Sequence, residues 1–538
     1  MEGGSSFGYR LLFVILLSNM IAIFLQNLTI RLGTITGLDL ASASRKFFPR
    51  WLNIMLYVLA EIAIIATDVA EVIGSAIALN LLFPNLPLPA GVAITAVDVF
   101  IILLFYKEET DEEDGSTSGK MVRAFEMFVM ILVAAVGVCF IVELGYSDVV
   151  AIDLLKGYLP NKEIFTEPHA LYVAIGIVGA TVMPHNLYLH SFIVQGRCRE
   201  WKILRPHVEK KGDHWIVESD QFDLNPKPVE SEIYHTALNV TPSTDQVSFD
   251  SVKEYLQKSL EKNLHYGFVD LLVALTFAFF VNCAILIVAS ANFYYAPESQ
   301  QQQVQDLFGA HDLLLKYLGH SAATVFALAL LCAGQSSTLT ATLAGQVIMS
   351  GFLGMTTRPW IRRVVTRFIA IAPAMVAACV AGRSGLSSML VASQVALSIQ
   401  LPFAVVPLVY LTSTKSAMQL DLVTKDKRVK STTFVTEQPK MSLLDRLLVR
   451  LRLSKSGSSW TRFSQMKESE NLLPSIEEEC ELSCHSLEDK QLDSITIDTL
   501  PDPLVYANGQ ITTISAVLIS ILLIILNGYL VVSLFLQS

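Results

Sequence analysis

The stretch Gly176-Ile-Val-Gly-Ala-Thr-Val-Met-Pro-His-Asn186 decides the fold, because it places a proline in the middle of the apolar segment 170–194. Pro184 has no amide hydrogen, and its ring clashes with the preceding helical turn. We therefore expect the helix to break between Gly179 and Pro184. Broken helices at membrane depth are tolerated where the freed carbonyl groups line a cavity or a cation site. The stretch predicts a helix interrupted at a binding site inside a membrane.

Side chains around this break could bind a cation. Met183 offers a thioether, and His185 and His190 offer imidazoles. A thioether suits Mn²⁺, Fe²⁺, Co²⁺ or Cd²⁺ better than Mg²⁺ or Ca²⁺, because sulfur is a soft donor. The alternative is that Met183 only fills space between helices, as most methionines in membranes do.

Composition places the whole chain in a membrane. Of its 538 residues, 52% are hydrophobic and only 16% are charged, with a mean hydropathy of +0.49. Soluble domains average roughly 25% charged residues, and a helix needs about 20 apolar residues to cross a bilayer. The sequence therefore predicts an all-α polytopic membrane protein. Ten stretches are long enough to span: 11–32, 51–83, 90–106, 124–146, 170–194, 268–292, 320–349, 364–381, 387–412 and 511–535.

The charged residues concentrate in two inserts, which divide the chain into regions. Residues 1–412 form the predicted membrane-embedded core, interrupted by a polar loop at 197–266. The second insert, 413–509, is predicted to be disordered and is followed by the last span, 511–535. The excess of Lys and Arg in alternate short loops, such as 33–50, places both inserts in the cytosol. The net charge of −10 argues against a nucleic-acid partner.

A short pattern in the second insert concerns trafficking. Glu468, Leu472 and Leu473 have the spacing of an acidic dileucine sorting signal. Sorting machinery is therefore a possible partner, although a pattern this short also arises by chance.

Three carboxylates lie in the span 51–83. Glu61 and Asp68 are seven residues apart and fall on nearly one line of a helix, with Glu71 one turn further along. Charged groups at membrane depth are costly and are typical of ion and proton paths. The stripe predicts a proton or cation path. The alternative is structural pairing with arginines of neighbouring helices.

Polar side chains also occur in the span 387–412, before Pro402. Gln394 offers an amide that can coordinate a cation or form a hydrogen bond between helices, and the residues alone favour the second interpretation. The polar group comprises Ser393, Gln394, Ser398 and Gln400.

Together these motifs resemble the Nramp family of proton-coupled divalent metal transporters, and most closely its fungal Smf-type members. The resemblance runs from about Phe7 to Thr412 and again over the last span. It rests on Asp68-Val-Ala-Glu-Val-Ile-Gly74, Met183-Pro-His-Asn186, Ala333-Gly-Gln-Ser-Ser-Thr338, Ala344-Gly-Gln346 and Gln400-Leu-Pro-Phe403.

The resemblance implies a LeuT-like fold of two inverted five-helix repeats, which carries Mn²⁺ or Fe²⁺ into the cytosol with protons. It implies a multi-pass protein of the plasma membrane or an endosomal or vacuolar membrane, with metal ions, protons and lipid as partners. Neither an enzymatic activity nor a resident cofactor is expected. The implied metal ligands are Met183, the Ala180 carbonyl and Gln394, and the implied proton path comprises Glu61, Asp68, Glu71, His185 and His190.

One feature departs from the family pattern. The family's first helix carries the motif Asp-Pro-Gly-Asn, whose Asp and Asn bind the metal. This motif does not occur in the present sequence. The ten predicted spans would then match family helices two to eleven. Two hypotheses follow: a metal carrier, or a truncated protein of the same fold that does not transport or that regulates. A chain that lacks the first helix is expected to be a weak transporter.

Overall fold

The computed structural model describes most of the chain. The described residues are 2–105, scattered positions between 127 and 149, and the ranges 151–195, 207–211, 214–218, 249–295, 307–354, 359–380, 382–420, 495–497 and 502–537.

Helices make up nearly all of the described residues up to 195. They are α1 (Glu2–Phe7), a 3₁₀ turn (Gly8–Leu11), α2 (Leu12–Thr36), α3 (Leu40–Phe47), α4 (Arg50–Leu82), α5 (Leu88–Phe105), α6 (Ala151–Gly157), α7 (Glu163–Thr166), α8 (Pro168–Val182) and α9 (Pro184–Ile193).

The described residues from 207 onward add helices and short strands. They are β1 (His207–Lys211), β2 (His214–Glu218), α10 (Phe249–Ala289) with a π-helical turn (Ser290–Tyr294), α11 (Leu307–Leu318), α12 (His320–Leu353), α13 (Pro359–Val380), α14 (Gly382–Ser413), β3 (Gln419–Leu420), β4 (Ile495–Ile497), β5 (Leu504–Val505) and α15 (Gln510–Gln537).

Residues 1–200, 257–420 and 505–538 form one compact unit. Its centre is α4, which packs against α5, α12, α13 and α14. One close approach is at Gly334 of α12, where an added Cβ would overlap the hydroxyl of Ser75 on α4. Small residues allow helix backbones to approach in a membrane, where no hydrophobic effect drives helices together. The helix that carries the three carboxylates is therefore enclosed by other helices.

Six described helical segments are long and apolar enough to cross a bilayer, judged by length and composition: Glu2–Thr36, Arg50–Leu82, Pro168–Ile193, Leu256–Tyr294, Gly382–Ser413 and Gln510–Ser533. The predicted span 170–194 is interrupted at Met183, within the expected interval Gly179–Pro184. The predicted span 124–146 lies mostly outside the described residues.

The first insert differs from the polar loop that we expected. Helix α10 begins at Phe249, well before the predicted span 268–292. Leu256 and Leu260 are buried one turn apart, so an apolar stripe continues into the charged segment and extends the helix. The expectation of a loop up to 266 came from charge content, which does not exclude an amphipathic helix.

The described residues 207–211, 214–218 and 495–497 belong to a second compact unit. Strands β1 and β2 pair as an antiparallel hairpin with His207 opposite Glu218, and β2 pairs with β4 with Ile216 opposite Thr496. Both inserts therefore contribute strands to one sheet. Residues 421–494, including Leu472 and Leu473, lie outside the described part of the chain, so the predicted disorder and the sorting signal stay predictions.

Candidate functional site

The interrupted helix forms the centre of the site. Helix α8 ends at Val182, Met183 has non-helical backbone angles (φ 5°, ψ 115°), and α9 begins at Pro184. Since Pro184 cannot donate a hydrogen bond, the Ala180 carbonyl lacks its helical partner. The Asn186 amide donates to the Met183 carbonyl at 3.1 Å, which closes the first turn of α9. The break thus leaves a backbone oxygen and a half-buried thioether available.

Helix α14 lies directly against the end of α8. A Cβ on Gly179 would overlap the Gln394 carbonyl oxygen and would lie 2.7 Å from the amide nitrogen of Ser398. Only a residue without a side chain permits this approach. The contact brings Ala180 next to Gln394, although 214 positions separate them in the sequence.

Ala180 and Gln394 line the same cavity of about 300 Å³. Thr181 and Asn282 also line it, so its wall combines a few polar groups with apolar ones. The Gln394 Oε1 atom is buried and has no hydrogen-bond partner among the described residues. Met183 follows this wall in sequence but does not itself line the cavity. Two of the three predicted metal ligands therefore share one cavity.

His185 contacts the carboxylate helix. Its Nδ1 lies 3.2 Å from Thr67 Oγ1, and both residues are only 3% exposed. The Thr67 hydroxyl has one proton and donates it to the Ala63 carbonyl at 3.0 Å. In the arrangement in which the Thr67 hydroxyl donates to the Ala63 carbonyl, Thr67 accepts from His185, so that Nδ1 carries the proton and Nε2 is an acceptor.

The three predicted carboxylates all lie on α4. Asp68 and Glu71 are 3% and 7% exposed, and Glu61 is half-buried. The Ser337 hydroxyl of α12 donates to Glu71 Oε1 at 2.5 Å. Asp68 follows Thr67 directly, so the carboxylate stripe lies next to the interrupted helix.

His190, the last member of the predicted proton path, is half-buried near the end of α9. The structure thus brings His185 to α4 and leaves the role of His190 a prediction.

The sequence analysis missed Thr67 and Ser337. Thr67 lies beside Asp68 in a recognised motif, but threonine within a helix normally bonds to its own backbone. Ser337 belongs to a polar run, Gln335-Ser-Ser-Thr338, that is typical of helix packing. The signal available for both was their position in motifs next to predicted functional residues.

Within the described ranges, no three His, Cys, Asp or Glu side chains converge on a point that could hold a metal ion. The donors at the break are of another kind: a carbonyl, an amide and a thioether. Oxygen and soft sulfur in combination suit a borderline transition metal better than Mg²⁺ or Ca²⁺.

Comparison with known proteins identifies the family. The family model for natural resistance-associated macrophage protein-like (Nramp) proteins matches residues 1–429. The manganese transporter SMF1 of Saccharomyces cerevisiae is 43% identical over 424 residues, which cover 78% of this chain and 68% of SMF1. The divalent metal cation transporter MntH of Nostoc is 45% identical over 417 residues, 77% of this chain and 78% of MntH.

A solved structure supports the same assignment. The crystal structure of the Eremococcus coleocola manganese transporter, in complex with an aromatic bis-isothiourea compound, matches with a TM-score of 0.56 and 31% identity. The match covers 79% of this chain and 77% of that transporter. The fold is therefore the LeuT-like transporter fold, and the protein is an integral, multi-pass membrane protein and not an enzyme. The chain belongs to the Nramp family.

Proposed function

We propose that this protein carries divalent transition-metal ions, Mn²⁺ or Fe²⁺, into the cytosol together with protons. The observation that carries the proposal is the interrupted helix at Met183, with the bare Ala180 carbonyl next to Gln394. The family match favours transport over the alternative of a regulatory protein of the same fold.

Ligand chemistry supports a transition metal as the cargo. The Ala180 carbonyl and Gln394 Oε1 are oxygen donors that any divalent cation accepts. The Met183 sulfur adds little for Ca²⁺ or Mg²⁺, whose dehydration requires oxygen ligands. Met183 would therefore act mainly on selectivity, and Gln394 would complete the metal's coordination as the carrier closes around it.

The carboxylates of α4 support the coupling to protons. Desolvation and mutual repulsion make stacked buried carboxylates bind and release protons readily. Thr67 connects His185, next to the break, with the segment that holds Asp68. A proton could then move along α4 while the metal occupies the break, with Glu61, Asp68 and Glu71 as successive carriers.

The predicted topology supports import as the direction of transport. The excess of Lys and Arg in alternate loops places the C-terminal end of α14 in the cytosol. The cation would then enter from the opposite side, where α8 begins at Pro168. The membrane in question would be the plasma membrane or an endosomal or vacuolar one.

Uptake into proteoliposomes tests the cargo. The purified protein is reconstituted into vesicles, and the external medium is made more acidic than the lumen. Mn²⁺ uptake is then measured with a metal-sensitive dye inside the vesicles. We expect saturable Mn²⁺ uptake that Fe²⁺ and Cd²⁺ inhibit strongly and that a large excess of Ca²⁺ or Mg²⁺ inhibits weakly. Uptake equal to that of protein-free vesicles would contradict the proposal.

A further inference from the structure

Ser398 on α14 differs from other buried helical serines. Six of them donate their hydroxyl to a carbonyl three or four residues earlier: Ser18, Ser44, Ser191, Ser290, Ser393 and Ser520. Ser398 is only 1% exposed, yet its hydroxyl has no hydrogen-bond partner among the described residues. Burying a hydroxyl without a hydrogen-bond partner is unfavourable, so its retention calls for an explanation such as a ligand.

The Cβ atom of Ser398 lies against the end of α8, the first part of the interrupted helix. A Cβ on Gly179 would lie 3.0 Å from the Ser398 Cβ. The carbonyl to which a serine here would normally bond belongs to Gln394, and that oxygen is the atom against which Gly179 packs. Ser398 thus lies at the last turn of α8, at the level where the Ala180 carbonyl is bare.

A second oxygen of Ser398 also lacks its helical partner. Pro402 follows four residues later and cannot donate to the Ser398 carbonyl. Pro184 has the same effect on the Ala180 carbonyl across the contact. Helices α8 and α14 therefore each present a carbonyl group whose usual helical donor is replaced by a proline. Helix α14 adds the Ser398 hydroxyl, which has no partner among the described residues.

Ser398 continues the wall of the cavity in one direction. Leu390, Val391 and Gln394 line the cavity on α14, and Ser398 is the next residue on that face, about 6 Å further along the axis. Since α14 runs toward the cytosol, Ser398 lies on the cytosolic side of Gln394. A cation that leaves the cavity inward would meet Ser398 next.

We infer that Ser398 is a further oxygen ligand of the transported cation, engaged after Gln394 when the end of α8 and α14 separate. The inference rests on the proposed transport function. The hydroxyl and carbonyl of Ser398 would replace part of the ion's hydration shell during this step. Loss of the Ser398 hydroxyl should weaken metal binding more than it lowers the maximal rate of transport.

Cysteine substitution tests this ligand, because a thiol at a metal ligand position favours Cd²⁺ over Mn²⁺. Ser398→Cys and Ser398→Ala are compared with Ser393→Cys and Ser393→Ala in proteoliposomes. Ser393 is the matched control: it is buried on the same helix, and its hydroxyl is already bonded to the Leu390 carbonyl. KM and maximal rate are measured for both metals.

We expect Ser398→Cys to lower the ratio of the Cd²⁺ KM to the Mn²⁺ KM about tenfold, and Ser398→Ala to raise the Mn²⁺ KM by a similar factor with a smaller change in maximal rate. The Ser393 variants should leave both ratios unchanged. Should Ser398→Ala fold poorly, the nearly isosteric Ser398→Cys and calorimetric Cd²⁺ binding in detergent still decide the question.

Equal KM ratios for Ser398→Cys and Ser393→Cys would overturn the assignment of Ser398 while wild-type uptake upholds the transport proposal. Absence of Mn²⁺ uptake by the wild type would overturn both.

Discussion

Met183 combines a non-helical backbone conformation with the only soft donor among the predicted metal ligands. We expect Met183→Ala to loosen selectivity more than it lowers transport, because the thioether disfavours hard cations and adds little affinity of its own. Competition by Ca²⁺ or Mg²⁺ against Mn²⁺ uptake should therefore increase. Met20→Ala is the control, since Met20 is 61% exposed on α2. Unchanged competition would show that Met183 only packs.

Asp68 tests the proton path. We expect Asp68→Asn to abolish metal-linked proton flow while metal flow persists, because Asn keeps the shape and polarity of Asp but cannot release a proton. A pH-sensitive dye and a metal-sensitive dye, read together in proteoliposomes, measure both flows. Asp270→Asn, on an exposed face of α10, is the control. Normal proton flow combined with a low folded yield would instead support a structural role for Asp68.

Thr67 is expected to affect stability and metal uptake through its hydrogen bond with His185. Thr67→Val removes the only described acceptor of the His185 Nδ1 proton, so we expect a loss of about 1–3 kcal/mol in stability and reduced uptake. Thr67→Ser keeps the hydroxyl and should behave like the wild type. Thermal unfolding in detergent and Mn²⁺ uptake are measured for both variants. Equal behaviour of the two variants would contradict the role of the hydroxyl.

For single residues, the sequence indicates which residue types are functional better than it indicates which residues they bond to. Met183 and Asp68 could be singled out because soft or charged groups are rare at membrane depth. The bonds of Thr67 with His185 and of Ser337 with Glu71 could not be predicted, because each joins helices far apart in the sequence. Such bonds depend on how the helices pack, which local patterns do not specify.

Among the helical elements, the contact between α8 and α14 is the tightest part of the site. Gly179→Ala would push a methyl group into the Gln394 carbonyl, so we expect a cost of about 1–3 kcal/mol and loss of metal uptake. Gly74→Ala on α4 is the control, because nothing lies within 4 Å of the added Cβ. Thermal unfolding and uptake are compared. Full uptake by Gly179→Ala would show that the close approach is dispensable.

The predictability of the elements depended on whether the cause was local. The interruption at Met183 was predicted because Pro184 acts on the turn that precedes it. The early start of α10 at Phe249 was not, because charge content obscured the buried stripe of Leu256 and Leu260. The hairpin of β1 and β2 was also missed, since short strands in a polar segment carry little signal.

For the whole molecule, the fold was predictable from the combined motifs and not from any single one. Their match to the Nramp family and its LeuT-like fold agrees with the solved manganese transporter. Helices α8 and α14 both line the cavity; Pro184 follows the end of α8, and Pro402 and Pro407 lie within α14. Helical hydrogen bonds are missing around these prolines, and the conformational changes of alternating access can therefore occur there.

The helix ends that the loop charges predict to be cytosolic are joined by hydrogen bonds. The Leu40 amide donates to Ser191 Oγ at 2.9 Å, and Asn53 Nδ2 donates to the Phe352 carbonyl at 2.9 Å. These bonds join α3 to α9 and α4 to α12. Release of a cation to the cytosol would require such contacts to loosen, while the α4 carboxylates change protonation.

Metal-driven acidification tests the central claim, the coupling of metal and proton movement, most directly. Proteoliposomes with a luminal pH dye and no imposed pH gradient receive external Mn²⁺, with the membrane potential held at zero. We predict acidification of the lumen that requires the protein, rises with Mn²⁺ concentration and disappears in Asp68→Asn. Mn²⁺ entry without any acidification would contradict the account.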